Sequence, residues 1–150
     1  MNKKIPLVGT MILTVIALSI SIFFNGCKKD NNCPDGLEGD NCDIPINRKF
    51  ISEWDVSDNC NGGSNNNHYD LEITAVGSSK TDIMIDGFLD ALEVPATVSG
   101  NSFTIVAGTY ENTDVTGSGT ISSDGKTITA TYTGKDQFVD ASCTGTWTKK

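Results

Sequence analysis

Apolar and polar positions divide the chain into three stretches. Ile5 to Phe24 is almost wholly apolar and carries no charge, after the start Met1-Asn2-Lys3-Lys4. Residues 28–49 are polar and acidic. Residues 50–150 are rich in Thr, Ser, Gly, Val and Ile and alternate apolar with polar, the period of half-buried strands. That alternation predicts strands at Phe50–Val56, Tyr69–Ala75, Thr81–Ile85 and Glu93–Val98. It predicts four more at Ser102–Val106, Val115–Ser122, Thr127–Thr133 and Ala141–Thr148. Turn chemistry falls between several of them, at Gly77-Ser78-Ser79-Lys80, Ser99-Gly100-Asn101 and Ser123-Asp124-Gly125-Lys126. Thr109–Glu111 extends one strand or joins a neighbour, Phe88–Leu92 reads as a short helical turn, and Asn59–His68 reads as a long polar loop. No 3.6-residue periodicity persists long enough for a structural helix.

The N-terminus reads as an address. A positive start, an apolar core and a small residue before a cut define a secretory signal. Phe24-Asn25-Gly26-Cys27, followed by Lys28-Lys29-Asp30, resembles the lipobox of bacterial lipoproteins, in a form similar to that of Bacteroidota. The resemblance implies cleavage before Cys27, acylation of its thiol and amino group, and attachment to a membrane of the cell envelope, expected to be the outer one. Lys29-Asp30 also resembles the charged export tag of surface-exposed lipoproteins. A plain transmembrane anchor is the alternative, since about 20 apolar residues span a bilayer.

Five cysteines occur, at 27, 33, 42, 60 and 143, and an odd count in a secreted chain needs an explanation. Lipidation of Cys27 supplies one and leaves four, which allow three pairings. The C-x8-C spacing of Cys33 and Cys42, with Gly36 and Gly39 inside, resembles the last loop of an EGF-like module. The resemblance covers only this loop, a stapled half-module without the calcium-binding pattern. It implies a Cys33–Cys42 bridge, and Cys60 then pairs with Cys143. Closing a loop of about 80 residues that way stabilises by roughly 4.5 kcal/mol in the chain-entropy estimate. Three segments follow: a signal peptide (1–26), the lipidated Cys with an acidic tether and half-loop (27–49), and a β-domain (50–150).

Successive hairpins suggest an all-β antiparallel meander of about eight strands. In an even-stranded up-and-down barrel the first and last strands lie side by side. Setting Cys60 opposite Cys143 places Val56 opposite Trp147. Trp54, Val56 and Cys60 share a parity, as do Cys143 and Trp147, so both sets face one side without contradiction. A bridge there clamps the seam of a closed barrel. A β-sandwich with an inter-sheet bridge is the alternative. The whole layout, with Trp54 in the first strand, resembles small bacterial lipoproteins carrying a compact lipocalin-like barrel. That resemblance implies a small apolar ligand held inside, lined by Trp54, Leu71, Ile73, Ile85, Phe103, Ile105, Tyr132 and Trp147. Val56, Ile83, Ile121, Ile128 and Ala130 complete the expected inward face. An eight-stranded barrel is either filled by side chains or holds one small ligand, and so short a domain favours the filled core.

Charge and chemistry change this picture little. The chain has 11 Lys+Arg against 19 Asp+Glu, a formal charge of −8, which loss of Lys3 and Lys4 with the signal would deepen to −10. No basic patch exists to bind nucleic acid. His68 is the only histidine, a poor basis for a metal site and read as a solvated loop residue. Asp35, Glu38, Asp40 and Asp43 lack calcium-loop spacing and read as a solvated acidic face. Asp55, Asp70, Glu72, Asp82 and Asp86 fall on positions expected to face water. No catalytic motif, metal site or cofactor is expected. The chain reads as a non-enzymatic, lipid-anchored protein displaying a β-domain for a surface partner, with the small-ligand carrier as the alternative.

Overall fold

The computed structural model describes residues 33–61, 66–137 and 140–150. The expected signal peptide (1–26), Cys27 and Lys28–Asp30 lie outside them. Asn31–Lys150 forms one compact unit. Among the described residues no helix is long and apolar enough to cross a membrane.

A two-stranded hairpin comes first, β1 (Leu37–Glu38) against β2 (Ile44–Pro45), stapled by Cys33–Cys42. One 3-10 turn follows at Ile46–Lys49. Eight antiparallel strands then form β3 (Ser52–Cys60), β4 (Asn66–Ala75), β5 (Asp82–Phe88), β6 (Leu92–Ser99), β7 (Ser102–Tyr110), β8 (Thr113–Ile121), β9 (Thr127–Lys135) and β10 (Asp140–Lys149). They close into a barrel in chain order, with β10 beside β3. This settles the choice between barrel and sandwich. The seam register is the expected one: Cys143 opposite Cys60 and Trp147 opposite Val56, with Cys60–Cys143 bridged.

Two local expectations are corrected, and one pair of alternatives is decided. Phe88–Leu92 is no helical turn; Leu89 and Asp90 take positive φ of 52° and 68° and reverse the chain tightly between β5 and β6. Glu111 and Asn112 do the same between β7 and β8, so Thr109–Tyr110 extends β7. The polar stretch Asn59–His68 is strand at both described ends, Asn59–Cys60 in β3 and Asn66–His68 in β4, because Ser57–Asn59 pairs with Asn66–His68. Gly87 is where only glycine fits: its φ is +81°, and a Cβ there would stand 2.9 Å from the Asp70 carbonyl oxygen.

Every residue expected to face inward is buried. Alternation drives this, since one face of each strand must leave water when the sheet closes on itself. The interior is aromatic along its axis. Phe103 stacks on Trp147 at 5.6 Å between centroids, Phe50 meets Phe103 edge-on at 5.9 Å, and Phe88 contacts Tyr132 at 4.6 Å. Strand β8 makes room for these rings by carrying little on its inner face. A Cβ on Gly119, which pairs with Phe103, would stand 2.5 Å from that ring.

One end of the barrel is plugged. Phe50 is not part of the first strand as expected; it follows the 3-10 turn, fully buried, and its carbonyl accepts the Trp54 Nε1–H at 2.9 Å. Asn47 is buried beside it, donating through Nδ2 to the Ser79 and Asp82 carbonyls at 2.9 and 3.1 Å. Lys49 ties the hairpin to the barrel through Glu38 (2.6 Å) and Asn101 (2.9 Å). The segment expected as a free tether up to residue 49 therefore contributes its last residues to the barrel itself.

Candidate binding site at the far end of the barrel

The end opposite the plug is built differently. Asp58 lies on the inward parity of β3, between Val56 and Cys60, and is only 1% exposed. Tyr69 on β4 and Tyr132 on β9 both donate their hydroxyls to Asp58 Oδ2, Tyr69 at 2.6 Å. The two hydroxyl oxygens are 3.2 Å apart. Burial raises both phenol pKa values well above the ordinary range. For Tyr69 the hydrogen bond to Asp58 adds most to that; for Tyr132 the neighbouring Tyr69 does. Both phenols therefore stay protonated and remain donors at ordinary pH.

Asp58 Oδ1 and Trp147 Nε1 are buried with no hydrogen-bond partner among the described residues. Both crowd the inner face of Gly145, which pairs with Asp58 across the seam. A Cβ there would stand 2.7 Å from Trp147 Nε1 and still closer to Asp58 Oδ1, so the cluster requires glycine at that position.

Above the cluster the barrel opens into two adjoining recesses that share Cys60, Asn67 and Leu89. The larger, about 550 Å³, has Leu89, Ala91, Leu92 and Ala141 as its apolar wall and Glu111 and Asp136 as its charges. The smaller, about 420 Å³, reaches Asp58, His68, Tyr69 and Asp90. Leu89 extends toward the opposite wall, where a Cβ on Gly134 of β9 would come within 2.8 Å of it. Each recess is of a size that holds one small molecule.

The structure redistributes the sequence-derived candidates. Trp54, Leu71, Ile73, Ile85, Phe103, Ile105, Tyr132 and Trp147 belong to the packed core, and none borders either recess. Among them Tyr132, through its hydroxyl, and Trp147, through its indole Nε1, reach the polar cluster. His68 sits on β4 rather than in a loop, exposed and opposite Ser57, at the margin of the smaller recess. Glu38 pairs with Lys49, while Asp35, Asp40 and Asp43 are exposed. Asp55, Asp70, Glu72 and Asp86 are exposed; Asp82 is half-buried and accepts from Ser79 and Thr97 hydroxyls at 2.9 and 3.2 Å. Among the described residues no three His, Cys, Asp or Glu gather as metal ligands. Sequence reasoning passed over Asp58, although the parity linking Trp54, Val56 and Cys60 runs straight through it.

The fold and site define an all-β protein with a closed, filled eight-stranded antiparallel barrel and a recessed mouth. No protein-family model and no curated protein matches the chain. A solved structure from Bacteroides ovatus, a structural-genomics protein of unknown function, is similar at 18% identity with a TM-score of 0.48. The match covers 67% of this chain and 42% of that one, so this chain spans less than half of its length.

Proposed function

We propose that the protein is a lipid-anchored protein of a bacterial cell envelope, cut before Cys27 and acylated there, whose rigid barrel serves binding and not catalysis. The observation that carries this reading is the cysteine accounting. Cys33, Cys42, Cys60 and Cys143 are all consumed in disulfides, leaving the lipobox cysteine as the one thiol to be explained. Two disulfides also suit an oxidising compartment outside the cytoplasm. Two or three acyl chains hold such a protein durably, each buried CH₂ adding about 0.8 kcal/mol. The half-loop hairpin joins the barrel at its plugged end, so the mouth stands at the other end, free for a partner. A binding role without catalysis suits a polar cluster of one carboxylate and two protonated phenols.

The test is the variant Cys27→Ser. Acyl mass on the N-terminal cysteine of the native protein, and release of the variant from the membrane as a folded soluble domain, are expected. Retention of a signal-cleaved Cys27→Ser protein in the membrane overturns the reading. A second reading, the carrier of a small apolar ligand, is favoured by the apolar wall of the larger recess. It places the ligand at the mouth rather than in the barrel's middle.

A further inference from the structure

We propose that the mouth takes a small organic cation, an ammonium group on a compact apolar body. This rests on the reading that the mouth is the binding surface, and adds the chemical class of its occupant.

The argument starts from Asp58. A carboxylate taken out of water needs a countercharge or a dense set of hydrogen bonds. Among the described residues Asp58 has two phenol donors on Oδ2, none on Oδ1, and no cation. Among the described residues neither recess has a Lys or Arg in its lining, and His68 is the one basic side chain there. The nearby Lys135 is engaged with Asp140 at 3.1 Å. Asp90 and Glu111, both exposed, add negative charge at the two recesses that meet at Leu89. Carboxylates on the walls of a concave, low-dielectric site focus their field into it and draw in the opposite charge. The apolar side chains of Leu89, Ala91 and Leu92 stand beside these charges and suit the uncharged part of the same molecule. An anion would meet repulsion from Asp58, Asp90 and Glu111, and a neutral apolar ligand would leave these carboxylates unused.

The experiment is a charge series on one skeleton. The full-length protein in uncharged detergent is titrated at low salt with benzylammonium, benzyl alcohol and benzoate, followed by ligand-observed NMR against empty micelles. Benzylammonium is expected to bind about tenfold more tightly than benzyl alcohol, with benzoate weakest. Asp58 is buried in the core, so the main variant is the exposed pair Asp90→Asn with Glu111→Gln. It is expected to weaken benzylammonium roughly three- to tenfold and leave benzyl alcohol unchanged. Equal affinity for the alcohol and the ammonium overturns the cation assignment while keeping the mouth as a binding site. Binding of none of the three overturns it as well, and the acyl mass on Cys27 still decides the anchored reading on its own.

Discussion

Asp58 shows how one residue sets the chemistry of a barrel end. Of its two phenol partners Tyr132 is buried and Tyr69 half-buried, and that burial lifts their pKa values, with Asp58 raising both further. A folded-state pKa above the unfolded value gives stability that is complete below the unfolded phenol pKa of about 10 and is lost as pH rises past it. The unfolded chain sheds protons there that the folded chain keeps. Urea unfolding is expected to show no tyrosine-dependent change from neutral pH up to about pH 9.5, then a fall, and Tyr132→Phe should blunt that fall by removing one of the two titrations. An equally steep decline in Tyr132→Phe would show that the cluster is not its source. Asp58 was hard to single out in the sequence because its neighbours Asp55, Asp70 and Glu72 look the same there. Only a fixed parity tells an inward aspartate from an outward one.

At the scale of elements, the eight strands were legible because inward apolar residues alternate with polar ones along them, even in β8, where only Val115 and Ile121 mark the inner face beside two glycines. Their ends were not. At the far end the inward residues become Asp58, Cys60 and Gly134, and alternation fades although backbone pairing continues. The polar stretch after Val56 therefore read as loop. Cross-strand hydrogen bonds do not depend on side-chain hydropathy, and they carry β3 to Cys60 and start β4 at Asn66. The seam is the element pair with the largest consequence for stability. Cys60 and Cys143 are 83 residues apart in sequence, Cys33 and Cys42 only 9. Loop-closure entropy then predicts about 4.5 kcal/mol for the seam bridge and about 2.5 kcal/mol for the hairpin bridge. Replacing each pair by serine and comparing urea midpoints should show the larger loss at the seam. The reverse order would show that loop length does not set what the two bridges contribute.

For the whole molecule, the boundary of the folded unit is the main surprise. Composition separates an acidic stretch from a Thr/Val-rich one near residue 50, yet Asn47 and Phe50 are buried and the Lys49 amine is tied to Glu38 and Asn101. A chain beginning at Phe50 is expected to lose at least about 2 kcal/mol against one beginning at Asn31, since two buried hydrogen bonds of Asn47 go with the segment. Equal melting curves for the two would return residues 31–49 to the role of spacer. By itself the sequence determined the all-β class, the eight strands, the inward face and the seam register, because period-two alternation and a pair of cysteines on one parity restrict how the sheet can close. The lipobox likeness at Cys27 belongs to the sequence too. Only the tertiary structure decided barrel over sandwich, the plug at one end, and the gathering of Asp58, Tyr69, Tyr132 and Trp147 from four strands at the other. Those are contacts between residues distant in the chain, and a local pattern of polar and apolar residues does not encode which strands will meet.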